Sequence, residues 1–310
     1  MLAIFLKTLP FFAVIGLGYG AGRFRVFPPD ATAWLTKFVF YFALSAMLFR
    51  LTVNLSLAEI WDPVFVAAYL VATGGLYAIL FALSRLRGVT VAEAAIEAQC
   101  GTIGNTGFLG IPMLGLLLGP AAAGPLLMVL TIDMIVFSSL VTLLITASRG
   151  SAKGGRSGLA ALGPPLVGLA TNPMIASMVA GFLWSGLGLP VPGAMDETLA
   201  LLGSSATPCA LFAIGASLAG RSAERAAVAA WLSASKLILH PAAVALSALA
   251  IFPVAREAAG VMIAAAALPV AGNIYILAQH YRVAPQRVST AILFSTAASI
   301  LTLPLVIAWV

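Results

Sequence analysis

Ten apolar stretches of roughly 20 residues, separated by short polar connectors, run almost end to end through this sequence. A helix of about 20 residues rises about 30 Å, the thickness of a bilayer's hydrocarbon core. The stretches predict helices over 4–22, 32–52, 63–84, 92–116, 122–147, 165–187, 196–219, 226–250, 257–280 and 288–309. A soluble domain carries about 25% charged residues, whereas this chain has 8% charged and 62% hydrophobic residues. No soluble fold could hide that much apolar surface, and little chain is left for a soluble domain. The expected fold class is all-α integral membrane, with the lipid bilayer as its solvent.

The formal net charge of +6 could suggest a nucleic-acid partner, but most of the Lys and Arg residues fall in the connectors and form no basic face. They report topology instead. With the N-terminus outside, the inner connectors hold Arg23, Arg25, Arg85, Arg87, Arg149, Lys153, Arg156, Arg221, Arg225, Arg282 and Arg287, and the outer ends only Arg50 and Arg256. Positive residues stay inside, so both termini are expected on the extracytoplasmic face of a multi-pass protein of the cell's inner (plasma) membrane. Lys7 within the first apolar run, with no cleavage motif after it, predicts that helix 1 is retained. Cys100 and Cys209 lie in apolar stretches and read as packing residues. No metal or cofactor site is expected. The Gly- and Ser-rich connector 148–164 reads as a cytoplasmic linker between halves 1–147 and 165–310.

The halves resemble each other. Ser45-Ala46-Met47-Leu48-Phe49 corresponds to Pro208-Cys209-Ala210-Leu211-Phe212 at an offset of 163, and Gly104-Asn105 to Gly272-Asn273 at 168. A repeat of five helices is odd, so the two copies must be inverted in the membrane, as in many secondary transporters. Both copies carry a break. Helix 4 contains Gly101, Gly104, Asn105, Thr106, Gly107, Gly110 and Pro112, and helix 9 contains Pro269, Gly272, Asn273 and Tyr275. Glycine and proline weaken a helix, and backbone freed in lipid must face protein or a watery cavity. Half-helix N-termini would then point their partial positive charge at a common place, where an anion is stabilised. Asn105 and Asn273 are expected to touch it. The alternative is a pair of kinks serving close packing.

A charge at the bilayer centre costs about 2.5 to 3.5 kcal/mol, which singles out Glu97, Asp133, Lys236 and His240 as candidates for ion coupling. Asp133 and Lys236 are expected to pair, or to alternate with a proton or cation. Glu97 with Glu93 could instead be a solvated helix end, and His240 a satisfied core residue. Glycines 16, 18, 20 and 22 give the small-xxx-small spacing of close helix packing. Trp61, Trp184 and Trp309 near span ends read as interface anchors. Neither a P-loop nor an HExxH or GxSxG motif occurs, so an enzyme is not expected.

The stretches Asn105 to Pro112, Asn172-Pro173, Pro208 to Gly215, Lys236 with Pro241, Leu268 to Tyr281 and Ser295 to Pro304 resemble the auxin efflux carrier family. That family includes plant auxin exporters and bacterial carriers of malonate or malate. The resemblance covers nearly the whole chain, with Ser45 standing where the family usually has proline. It implies ten transmembrane helices as two inverted repeats with crossover helices 4 and 9, similar to sodium-proton antiporters and bile-acid symporters. It further implies a scaffold of helices 1, 2, 6 and 7, a mobile transport domain of helices 3–5 and 8–10, and a homodimer through the scaffold. Gly104, Asn105, Thr106 and Pro112 fall on the first crossover and Pro269, Gly272, Asn273 and Tyr275 on the second. The expected function is elevator-type secondary transport of a small organic anion, malonate-like or auxin-like, coupled to a proton or ion. The alternatives are a sodium-coupled carrier of amphipathic anions and a membrane ligand sensor.

Overall fold

The computed structural model describes residues 2–55, 61–151, 167, 171–219 and 226–310. Among these residues the chain is helical, with a single isolated β-bridge. In chain order the helices are α1 (Leu2–Arg23), α2 (Pro29–Val53), α3 (Pro63–Leu86), α4 (Val91–Thr102), α5 (Thr106–Leu118), α6 (Pro120–Ser148), α7 (Pro173–Gly186), α8 (Gly193–Leu218), α9 (Ala226–Ile251), α10 (Arg256–Ala266), α11 (Gly272–Tyr281) and α12 (Pro285–Trp309). Seven of them, α1, α2, α3, α6, α8, α9 and α12, are long and apolar enough to cross a membrane. Exposed Leu17, Leu116, Leu183 and Leu301 give the bundle an apolar outer face.

The stretches 92–116 and 257–280, expected to carry breaks, are each two helices, α4 with α5 and α10 with α11. Of the expected 165–187 helix, the described helix begins at Pro173. Helix continues past 147 to Ser151, so the expected linker loses its first residues to helix. Its remainder, with Lys153 and Arg156, and the pair Arg221 and Arg225 lie outside the described residues.

Local chemistry sets the helix starts. Asp62 accepts from the Val64 and Phe65 N–H groups at 2.8 and 3.1 Å, with Pro63 in the first turn of α3. Thr90 and Glu93 form a capping box on α4. Asn172 caps α7 ahead of Pro173. Interior π-helical turns occur at Asp133–Phe137 in α6 and Ser235–Leu239 in α9. Such turns leave the i to i−4 ladder locally and often mark functional sites.

Helix α1 packs along α8, and α2 packs on α7 and α8. Helix α3 packs on α4 and α9, and α9 on α12. Glycine makes the closest approaches possible. A Cβ on Gly18 would sit on the Phe212 carbonyl oxygen, and one on Gly181 would lie 2.8 Å from the Phe49 carbonyl oxygen. Gly22 likewise faces Ala216 and Ala219, while Gly16 and Gly20 face open space. The small-xxx-small contact is therefore made by Gly18 and Gly22.

Candidate functional site

Helix α4 ends at Thr102 because Ile103 is extended, at φ −91° and ψ 121°. Helix α10 ends at Ala266 ahead of Pro269, which lacks the N–H a continuing helix needs. The two breaks meet. Gly104 and Val270 form an antiparallel bridge, Asn105 N–H donates to the Pro269 carbonyl at 2.9 Å, and Ala271 N–H donates to the Ile103 carbonyl at 3.2 Å. Val270 N–H donates to Ser295 Oγ of α12 at 3.1 Å. Each break thus satisfies backbone groups of the other, which would otherwise cost several kcal/mol each in a low-dielectric interior. Position 104 is tightly enclosed. A Cβ there would lie 3.1 Å from the Ala265 carbonyl oxygen and 3.3 Å from both Leu268 Cβ and Lys236 Cε.

Beyond this joint, α5 begins at Thr106, whose N–H donates to the Gly104 carbonyl at 2.8 Å, and α11 at Gly272, so the first turns of two helices start beside paired backbone. Asn105 is 6% exposed, and its amide makes no hydrogen bond to a described residue. Thr106 Oγ1 and Asn273 Oδ1 are buried without hydrogen-bond partners. A Cβ on Gly272 would meet nothing within 4 Å. Tyr275 follows in the first turn of α11, where its hydroxyl accepts from the Gln279 amide. Pro112 is buried in the first turn after the π-helical start of α5. The structure therefore brings Gly104, Asn105, Thr106, Pro269, Gly272 and Asn273 together around one joint.

A second polar cluster lies against that joint. Asp133, 2% exposed, accepts from the Tyr69 hydroxyl at 2.9 Å through Oδ1, while Oδ2 has no partner. Lys236, fully buried, donates to the Ala266 carbonyl, the C-terminal end of α10, where a cation complements the helix dipole. Its ammonium also lies 3.2 Å from His240 Nδ1, and His240 Nε2 lies 3.0 Å from Thr73 Oγ1. An ammonium only donates. Nδ1 must then accept, so the ring is neutral and its Nε2–H faces Thr73. No salt bridge joins Asp133 to Lys236. The expected direct pairing is absent, because Lys236 is turned to a helix end and Asp133 to Tyr69.

Glu97 belongs to a different cluster. It is 1% exposed, forms salt bridges with Arg87 and Arg287, and accepts from the Ser84 hydroxyl at 2.6 Å. Arg287 also reaches Glu93 at 3.4 Å. The solvated-end reading of Glu97 fails, since the ends of α3, α4 and α12 close over it. Arg287, expected as a connector charge, is 5% exposed inside that network. Sequence reasoning missed Tyr69, Thr73 and Ser295 as site neighbours. The available signal was the i, i+4 polar pair Tyr69 and Thr73 in the otherwise apolar first half of α3.

The family described as "Membrane transport protein" matches residues 3–307. The "Putative malonate transporter" of Rhizobium meliloti (strain 1021) is 32% identical over 300 residues, 95% of this chain and 92% of that one. The "Uncharacterized transporter YfdV" of Escherichia coli (strain K12) is 28% identical over 311 residues, 98% of this chain and 97% of its own. The "Probable auxin efflux carrier component 5a" of Oryza sativa subsp. japonica is 24% identical over 345 residues, 97% of this chain and 94% of its own.

Proposed function

Because this chain belongs to the membrane transport protein family, the family of the auxin efflux carriers, we propose that it is a secondary carrier of small organic anions. The observation that carries this reading is the joint of the two broken helices. There the N-termini of α5 and α11 start beside Asn105 and the unpartnered Oδ1 of Asn273. Each N-terminus carries about half a positive charge, and a neutral amide adds hydrogen bonds without a fixed countercharge. A hydrogen bond to a carboxylate contributes about 1.5 to 3 kcal/mol, enough to select an anion yet weak enough to release it.

In this reading the chain has ten spans, α4 with α5 and α10 with α11 each counting as one broken span. They form two inverted five-helix repeats whose breaks cross. Two contacts support the repeat: Gly18 on Phe212 and Gly181 on Phe49. Gly18 and Gly181, like Phe49 and Phe212, stand 163 residues apart, so these are one contact with the halves exchanged. Helices α1, α2, α7 and α8 form the scaffold, shared in a homodimer, and the remaining helices move against it with the anion. The similarity to a protein named for malonate favours a short dicarboxylate.

A cavity of about 260 Å³ between α3, α6 and α7 favours a second reading. Met128, Met134, Met174 and Met178 line it, and Met174 also covers Gly107 beside the joint. An amphipathic carboxylate could place its apolar body there. The test is uptake of labelled malonate, malate and indole-3-acetate by proteoliposomes, with proton and sodium gradients imposed separately. Saturable malonate or malate flux is expected. Flux of indole-3-acetate alone would favour the second reading, and no flux from folded protein would overturn the carrier.

A further inference from the structure

We infer that the anion and a proton travel together, the proton carried on Asp133 Oδ2 and coupled to the anion through the charge of Lys236. This rests on the carrier reading above and names its coupling ion and its sense, symport.

The geometry begins with an incomplete carboxylate. Asp133 sits in the π-helical turn of α6, 2% exposed, with Oδ1 held by Tyr69 and Oδ2 unpartnered. A carboxylate oxygen left bare inside a membrane protein is expensive unless something fills it. The groups that face it are few. Helix α3 presents Tyr69 and Thr73, and α9 presents Lys236 and the neutral His240. Helix α10 presents the Ala266 carbonyl, its own charged residues Arg256 and Glu257 being in the first turn at the far end. Helix α5 has no ionisable side chain. Helix α4 brings Glu93 and Glu97, which Arg287 of α12 and Arg87 engage, and the buried thiol of Cys100. One negative and one positive charge are therefore left to balance each other across the cluster without touching.

That balance sets the sign of the coupling. With Asp133 ionised, the cluster is neutral. When a proton binds, the O–H bond forms at Oδ2 and the positive charge of Lys236 is left uncompensated. Lys236 touches the joint itself, through the Ala266 carbonyl and through Cε, which lies 3.3 Å from where a Gly104 Cβ would stand. An uncompensated cation at the joint attracts an anion to the N-termini of α5 and α11, and a bound anion in turn favours the proton, since coupling is reciprocal. The favoured states are then the empty carrier and the carrier with both proton and anion. On the far side of the membrane the O–H bond breaks and the anion leaves.

The test is labelled-malonate binding to purified protein across a pH series, comparing wild type with Asp133→Asn and Lys236→Gln. Asparagine imitates the protonated carboxyl, and malonate's own ionisation is common to all three proteins. Wild-type affinity is expected to fall as pH rises, while Asp133→Asn keeps its acid-side affinity and binds about tenfold tighter than wild type at the alkaline end. A misfolded variant cannot gain affinity. Lys236→Gln is expected to bind weakly at every pH. If wild type binds malonate and Asp133→Asn follows its pH curve, the proton assignment is overturned and the carrier reading stands. If sodium rather than pH changes wild-type affinity, the coupling ion is wrong. If wild type does not bind malonate at any pH, the dicarboxylate reading falls and this inference with it.

Discussion

Among the described residues two carboxylates, Glu97 and Asp133, lie buried, and their neighbours differ in kind. Glu97 is enclosed by two guanidinium groups and the Ser84 hydroxyl. Asp133 has one hydroxyl and a bare oxygen. A saturated carboxylate between arginines is a fixed structural centre, since removing its charge would leave buried Arg287 with only its longer ion pair to Glu93. Replacing one partner of such a buried pair costs about 3 to 5 kcal/mol. Glu97→Gln is therefore expected to lower the melting temperature of detergent-solubilised protein while leaving the pH dependence of malonate binding as in wild type. A variant as stable as the parent would remove the structural role.

At the scale of elements, helix contacts here are set by missing side chains. Where α1 meets α8, a Cβ on Gly215 would sit on the Ile15 carbonyl oxygen and 2.8 Å from Tyr19 N. Neither is a flexible side chain that could turn aside. Gly215→Ala is expected to destabilise by about 1 to 3 kcal/mol, the cost of overpacking, whereas Gly16→Ala, with nothing within 4 Å, serves as a neutral control. Equal melting temperatures for the two variants would show that the α1 and α8 contact is looser than described. Much of this level was legible beforehand. Apolar length placed the helices, and Gly104, Pro112 and Pro269 pointed to two interrupted spans, because glycine and proline act on the backbone within a few residues of themselves. What could not be read is which distant groups meet. Tyr69 reaches Asp133 across 64 positions and Arg287 reaches Glu97 across 190. No local spacing encodes either contact, so the sequence offers Lys236 rather than Tyr69 as the partner of Asp133, and leaves Glu97 open between a solvated helix end and an ion-coupling residue.

For the whole molecule, function depends on how the joint sits between groups of helices. Helices α1, α2, α7 and α8 pack on one another, and the joint faces them through Phe108, stacked on Phe40 at 6.4 Å between ring centroids, and through Gly107, covered by Met174. In the carrier proposed above, the joint changes which side of the membrane it faces when the two groups of helices slide. Carriers of this kind exchange substrate across the membrane without any net driving gradient. The most direct measurement is therefore exchange of labelled external malonate for unlabelled malonate inside proteoliposomes, in wild type, Asn105→Ala and Asn273→Ala. With the anion held at the joint, wild type should exchange saturably. Each variant should need about tenfold more malonate, one lost hydrogen bond to a charged group being about 1.5 kcal/mol or more. Exchange at wild-type affinity in both variants would contradict an anion site at the joint of the broken helices.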